Sequence, residues 1–338
     1  MENVNDVVII GAGPAGLKCA EQFKGSGFSV LLIEKSEVIG PKTCAGGLTS
    51  LNYSFDFPES KTRSFGKLSV FLHGKKREIN LIYPIKTINR YDLGQYLLDK
   101  IKNCPNIKIL TGASVSEVKK DKIITNKGEF LYKYLVGADG SLSIVRKYLG
   151  LKSEFMMGLC YKIFGKNLSD LEIYLIPRKL KLGYIWVFPH KNYINIGIYF
   201  DPKVISSGLA KGILDDFLKK RNFVEPFREL EAAPINYLYQ GSVFGNIFLI
   251  GDAAGLSSRT TGEGISYAMI SGQEIGKKII DKEYPMPELK NILKLKKRQE
   301  KIWGTFGKFY VPDFLRKLFF NVSINLMGRI WYQKRFGI

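Results

Sequence analysis

Histidine is almost missing from this chain, with only His73 and His190 in 338 residues. So small a supply argues against a His-rich metal centre and against Ser-His hydrolytic chemistry, and no metal is expected. Cysteine is also scarce. Cys19, Cys44, Cys104 and Cys160 lie far apart and form no CxxC, so neither a zinc site nor a disulfide framework is expected, and a reducing cytoplasm fits. No run of about 18 apolar residues occurs, so no bilayer-spanning helix is expected. The opening MENVNDVVII has neither the basic stretch nor the small-residue cleavage site of a secretory signal. Internal repeats and low-complexity linkers are absent as well.

Acidic residues are in deficit, 31 against 51 Lys and Arg, for a formal net charge of +20. The surplus gathers in residues 286 to 338, which hold 12 Lys or Arg against three acids. A basic surface fits nucleic acid, anionic lipid or an acidic protein. Outside the tail, solvated lysines are the expected reading. No basic recognition motif accompanies the charge, so nucleic acid is not an expected partner. An apolar fraction of 45% with 24% charged residues is that of a globular protein, long enough for two interleaved domains.

What is present begins with glycine. The apolar run DVVII (6 to 10) ends in GAGPAG, an alanine-rich helical pattern follows, and FSVLLIE reads as a second buried strand. Gly11, Gly13 and Gly16 thus form GxGxxG between a strand and a helix. The first allows the tight turn, the second lets backbone approach a pyrophosphate, and the third lets helix and strand pack closely. The helix N-terminus offers amide donors to phosphate. Glu34 closes the second strand, where a carboxylate can accept from ribose hydroxyls. Two later stretches repeat the logic of an apolar strand running into a polar glycine turn: GADGSLSIVR, with Asp139 and Arg146, and GDAAG, with Gly251 and Asp252. Asp252 can bind sugar or ribityl hydroxyls. Amides around Gly262 and Gly264, ahead of a small-residue helix, can face a ring that becomes negative on reduction. Between these segments the chain reads as strand-rich, with LEIYLIP, LGYIWVFPH and YINIGIYF.

GAGPAG with Glu34, Arg90 in INRYDLGQYLL, the GADGSxSxVR stretch and GDAAG together resemble FAD-dependent proteins of the p-hydroxybenzoate hydroxylase fold. Within that superfamily PKTCAGG, YIWVFP and GEGISYAMISG resemble the geranylgeranyl reductase branch, and the resemblance spans roughly residues 5 to 285. It implies an α/β (mixed α+β) fold with a Rossmann-like FAD domain (1–52, 86–154 and 241–285) interleaved with a β-rich substrate domain (53–85 and 155–240), followed by a basic helical segment (286–338). It also implies FAD as cofactor, held by Gly11, Gly13, Ala15, Gly16, Glu34, Lys35, Cys44, Ala45, Gly46, Arg90, Asp139, Gly251, Asp252, Gly262, Gly264 and Ile265. Gly47, Tyr184, Trp186 and Phe188 would line an isoprenoid cavity, with Cys44 at the reactive face of the flavin. The activity implied is saturation of C=C bonds in isoprenoid lipids. A flavin monooxygenase of the same fold and a non-catalytic electron-transfer or lipid-binding flavoprotein are the alternatives. No second GxGxxG marks a nicotinamide domain, so a ferredoxin-like donor is one candidate for the electron source and another donor is the alternative.

Each residue also has a plainer reading. Cys44, between Pro41 and Gly46-Gly47, is either an active-site thiol or a small loop residue. The aromatics of YIWVFP alternate along a strand, so two of them are expected on one face, lining a cavity or packing a core. His190 reads as a surface residue at a strand end, and Arg259 as a cofactor contact or a solvated side chain. In the tail, Leu315, Leu318, Phe319, Val322, Leu326 and Ile330 share a helical stripe, with Arg316, Lys317, Asn321, Asn325 and Arg329 largely elsewhere. That pattern suits either peripheral docking on an anionic membrane or packing on the protein's own core.

Overall fold

In the computed structural model, which describes residues 4–49, 51, 55–166, 168–223, 229–306 and 312–327, two eight-stranded sheets share the chain. The first is built on β1 (Val4–Ile10), flanked in parallel by β2 (Val30–Ile33) and β9 (Gly128–Gly137). β6 (Ile107–Leu110) extends it beyond β2, and β16 (Ile247–Leu249) beyond β9, both parallel. Strands this apolar on both faces need cover on both faces. On one side α1 (Pro14–Gln22) packs against α6 (Ile265–Ile280) and α2 (Arg90–Asp99). The meander β7 (Val115–Val118), β8 (Lys122–Thr125) and β9 turns at Lys120-Asp121 and Asn126-Lys127.

The second sheet runs β14 (Glu231–Asn236), β10 (Phe155–Phe164), β13 (Tyr193–Phe200), β12 (Tyr184–Pro189), β11 (Leu171–Leu175), β4 (Thr62–Leu72), β5 (Lys75–Ile88) and β3 (Gly47–Leu48). All its pairings are antiparallel except β11 with β4. Two apolar clusters separate its faces. Ile185 and Val187, with Ile194, Ile196, Ile198 and Phe200, pack beneath α5 (Ser207–Lys220). Trp186, Tyr199 and Cys160 belong to the opposite cluster, with Tyr184 and Phe188 packed against it. The period of two along a strand does this sorting.

Two features depart from the sequence reading. α5 lies inside the stretch that reads as strand-rich. Its signals are an N-cap, Ser206, whose hydroxyl accepts from the Leu209 amide, and buried Ala210, Ile213, Leu214 and Leu218 at helical spacing. In the tail, α7 (Pro287–Phe306) is followed by α8 (Asp313–Met327), and the expected single stripe is split. α8 buries Phe320, Ser323 and Ile324 against the second sheet, with Phe319 and Leu326 half-buried. Leu315, Leu318 and Val322 are exposed, joined by Phe314 at 66%. Part of the apolar surface therefore packs on the core, and a second apolar face is left outside. Ile330 and Arg329 lie outside the described residues.

Candidate active site

The turn after β1 follows from its glycines. Gly11 has φ +103°, and a Cβ there would strike the Ala138 carbonyl. A Cβ on Gly16 would strike the Gly11 carbonyl. Gly13 is different: a Cβ there meets nothing within 4 Å and would point into a cavity of about 420 Å³. Glu34 is fixed at the rim of that cavity, its Oε2 accepting from the Ala12 amide (2.8 Å) and its Oε1 from Ser36 (3.0 Å). Lys35, Arg90 and Asp139 line the same space.

A second cavity of about 230 Å³ adjoins the first, and Gly13, Lys42, Arg90, Ala138 and Gly140 line both. Its wall carries Ala15, Cys44, Ala45, Gly46, Gly47, Asp252, Gly262, Gly264 and Ile265, and opposite them Tyr184, Trp186 and Phe188. All three aromatics of YIWVFP, rather than two, therefore face it. Of the residues that the resemblance assigns to cofactor or substrate, only Gly16 and Gly251 line neither cavity. Gly16 sets the packing behind the turn, and Gly251 packs against Ala15 and Ala268.

The loop from β2 to β3 carries PKTCAGG across from the first sheet to the second, and side chains of the second sheet hold it there. Asn195 donates from Nδ2 to the Cys44 carbonyl (3.1 Å), while its Oδ1 accepts from the Trp186 indole (2.7 Å). His190 Nε2 lies 3.0 Å from the Ala45 carbonyl, which places the ring proton on Nε2. His190 is thus no surface residue: it is 4% exposed and stacks on Tyr193. Burial lowers its pKa to about 4, so it stays neutral. The Cys44 Sγ accepts from the Gly46 amide (3.4 Å). Gly46, at φ +72°, has no room for a Cβ beside His190 and the Ile88 carbonyl.

Across the cavity, burial raises the pKa of Asp252, but Lys42 (3.2 Å), Ser257 (2.5 Å) and Ser141 (3.2 Å) outweigh that and hold it below the usual carboxylate range. Arg146 is buried without an acidic partner. Its guanidinium is spent on carbonyls, including Ala253 (3.0 Å) behind the Asp252 turn. Arg259 neither lines the cavity nor lies free in solvent: it pairs with Asp201 (3.0 Å) over the Tyr237 ring. Lys296 of α7 is buried too and donates to the Ser257 carbonyl (2.7 Å), so part of the basic tail braces the site.

Sequence reasoning missed Asn195, Gly197, Tyr199, Cys160, Thr49, Lys42 and Glu263. The first three were legible, because YINIGIYF alternates isoleucine with Asn195 and Gly197, one face against the other. A Cβ at Gly197 would enter the Trp186 ring, so this glycine sets where the indole lies. Cys160, Thr49, Lys42 and Glu263 carry no local signal, since their neighbours come from distant segments.

The donor set fits a dinucleotide. Asp139 Oδ1 and Arg90 Nε are buried without a partner, and the space over Gly13 is what a pyrophosphate requires. A parallel glycine-turn sheet joined to an antiparallel sheet, with one continuous cleft between them, defines an FAD-dependent oxidoreductase. The comparisons with known proteins agree. A family model described as FAD binding domain matches residues 111–283, and one described as pyridine nucleotide-disulphide oxidoreductase matches residues 5–158. An uncharacterized protein of Methanosarcina barkeri is 32% identical over 79% of this chain and 72% of its own length. The digeranylgeranylglycerophospholipid reductase of Methanococcus vannielii is 31% identical over 84% of this chain and 80% of its own. A geranylgeranyl bacteriochlorophyll reductase-like structure from Thermoplasma acidophilum shares the fold, with a TM-score of 0.79 at 22% identity over 97% of this chain and 92% of that one. The chain belongs to the geranylgeranyl reductase family of FAD-dependent oxidoreductases, and FAD is its cofactor.

Two outcomes are expected. Gly13→Val should fold with at most about 1 kcal/mol lost, because its backbone needs no positive φ and the side chain meets open space. It should nevertheless purify colourless, which an absorbance spectrum and thermal unfolding check together. The neutral His190 makes stability fall with acid: full above its unfolded pKa of 6.5, the contribution is lost as pH drops towards 4. That amounts to about 3 kcal/mol. In denaturant unfolding from pH 7 to pH 4, the gap between wild type and His190→Gln should narrow by that amount.

Proposed function

We propose that the protein saturates C=C bonds in geranylgeranyl-type chains of lipids, with Cys44 at the reacting centre. The observation that carries this reading is the placing of Cys44. Asn195 and His190 pin its loop on the aromatic wall of Tyr184, Trp186 and Phe188, in the cavity continuous with the Gly13 cradle. The Methanococcus vannielii relative is named as a digeranylgeranylglycerophospholipid reductase, which supports the same substrate class.

Bound FAD, once reduced, supplies the hydride that an unactivated alkene cannot obtain from a side chain. The chain's own residues do the rest. Gly11, Gly13, Glu34, Arg90 and Asp139 would hold its adenosine and pyrophosphate parts. Lys42 and Asp252 would meet its ribityl hydroxyls, and the Gly264 end of α6 would offer backbone amides to a ring that gains negative charge. The aromatic wall takes up the prenyl chain by desolvation, at about 0.8 kcal/mol per methylene. Cys44 supplies or orients the proton for the neighbouring carbon, a task for which a small, polarizable thiol is compatible with an apolar pocket. Electrons come from a ferredoxin-like or other donor, since the chain carries one dinucleotide cradle by its motifs.

The outer face of α8 gives the enzyme a place on a cytoplasmic membrane surface. Phe314, Leu315, Leu318 and Val322 are exposed there, within a segment carrying 12 basic residues against three acids. Among the described residues no helix is long and apolar enough to cross a bilayer.

Cys44→Ser should keep FAD and thermal stability, yet hydrogenate a prenyl lipid at least about tenfold more slowly, roughly 1.4 kcal/mol in barrier. The assay is anaerobic, with chemically reduced enzyme and mass detection of two hydrogens per bond. Wild-type rates in the mutant would make Cys44 a loop residue. Flotation with anionic liposomes should weaken as salt rises, and should weaken again with Leu318→Asp plus Val322→Asp. Absence from such liposomes at every salt concentration would leave α8 a packing element.

A further inference from the structure

Saturating one C=C bond takes a hydride, which the reduced cofactor supplies, and a proton, which must come from the protein once a prenyl chain has displaced water from the cavity. Cys44 holds one such proton, and after giving it up would be a thiolate in an apolar space. Two carboxyl groups line that cavity among the described residues, and their surroundings differ. Asp252 is paired with Lys42 and stays ionised. Glu263 receives on Oε1 the hydroxyls of Thr49 and Ser266. Thr49 follows Cys44 by five residues in the same crossing segment, and Ser266 is in the first turn of α6. The other titratable groups facing Glu263 are Tyr184 from β12 and Tyr267 from α6, and no cation is among the causes that shift it. Burial pushes its carboxyl above the usual range despite the two hydroxyl bonds. The two hydroxyl bonds and the N-terminus of α6 act the other way, towards ionisation. The remaining acids of the cavity are poor donors: burial drives the Cys160 thiol up to about 12, and Tyr184 well above its ordinary value.

We propose that Glu263 is the proton reserve of this cavity, returning a proton to Cys44 after each double bond is saturated. The inference rests on the reductase reading above. At the alkene the π bond breaks; one carbon gains the hydride with both electrons, and its neighbour gains the proton as the S–H bond of Cys44 breaks. The O–H bond of Glu263 then breaks, S–H re-forms, and a carboxylate remains until the product withdraws and water reprotonates it. No further oxidant or reductant enters. This assigns the two residues different steps, which an experiment can separate.

Glu263→Gln can still accept both hydroxyls but has no proton to give. The first readout needs no lipid. Infrared difference spectra of the FAD-bound wild type against FAD-bound Glu263→Gln at pH 7, in which the common flavin bands cancel, should show the carbonyl band of a protonated, buried carboxyl. The second separates turnovers under anaerobic conditions. With pre-reduced FAD, Glu263→Gln should reduce the first double bond within about twofold of the wild-type rate. With continuous reductant its steady-state rate should fall at least about tenfold, and Glu263→Asp should recover most of it. Cys44→Ser should slow the first turnover itself. No carboxyl band at pH 7, or wild-type steady-state turnover in Glu263→Gln, overturns the proposal and leaves the reductase reading standing. Wild-type protein that saturates no prenyl lipid overturns that reading and takes the reserve with it.

Discussion

Two hydrogen bonds from the second sheet to backbone carbonyls of the first sheet's outgoing loop, Asn195 to Cys44 and His190 to Ala45, are what the site depends on. Neither donor is solvated, so each bond formed in the fold avoids the cost of leaving a buried polar group unmet. His190 serves only as the neutral imidazole, because a charged ring in that position would be desolvated. Asn195 is fixed in turn by the Trp186 indole, and Gly197 leaves the space in which that indole lies. The same four residues thereby set the loop, the aromatic wall and the distance between them.

A second tie runs from the same sheet. Tyr184 donates its hydroxyl to the Thr261 carbonyl, and Tyr199 donates to the Arg259 carbonyl (2.9 Å). These two tyrosines are thus struts to the glycine loop that precedes α6. Lys296 supports that loop from behind. The cavity is therefore enclosed by the FAD-side turns and by the substrate-side sheet together, and neither sheet alone would form it. That is why the family's motifs are spread over the chain instead of lying in one stretch.

Much of this was legible in the sequence where chemistry is local. The GAGPAG turn, Glu34 at a strand end and the alternation in YIWVFP each follow from local backbone conformation, although three aromatics of YIWVFP rather than the expected two share one face. What was not legible depends on distant partners. His190 reads as a surface residue because a lone histidine after a proline carries no sign of the Ala45 carbonyl that buries it. α5 was hidden because the strands around it dominate the composition of the segment. The tail stripe had the wrong phase: Phe320 and Ile324, which it left out, pack on the second sheet, and Leu315, Leu318 and Val322 face outward. Glu263 sits between Gly262 and Gly264 with no local sign of its role, and only the folded chain brings Thr49 to it.

Fold likeness alone establishes the flavoprotein architecture, and the comparison at 22% identity carries no more than that. The claim that separates a reductase from other uses of the cleft is that electrons stored on the protein pass to a prenyl alkene. The direct measurement is an anaerobic titration of the chemically reduced protein with a digeranylgeranyl lipid, followed by the visible absorbance of its FAD. One equivalent of oxidised flavin should appear for each double bond saturated, without oxygen. A flavin that stays reduced through the titration, and reoxidises only when air is admitted, would contradict the account.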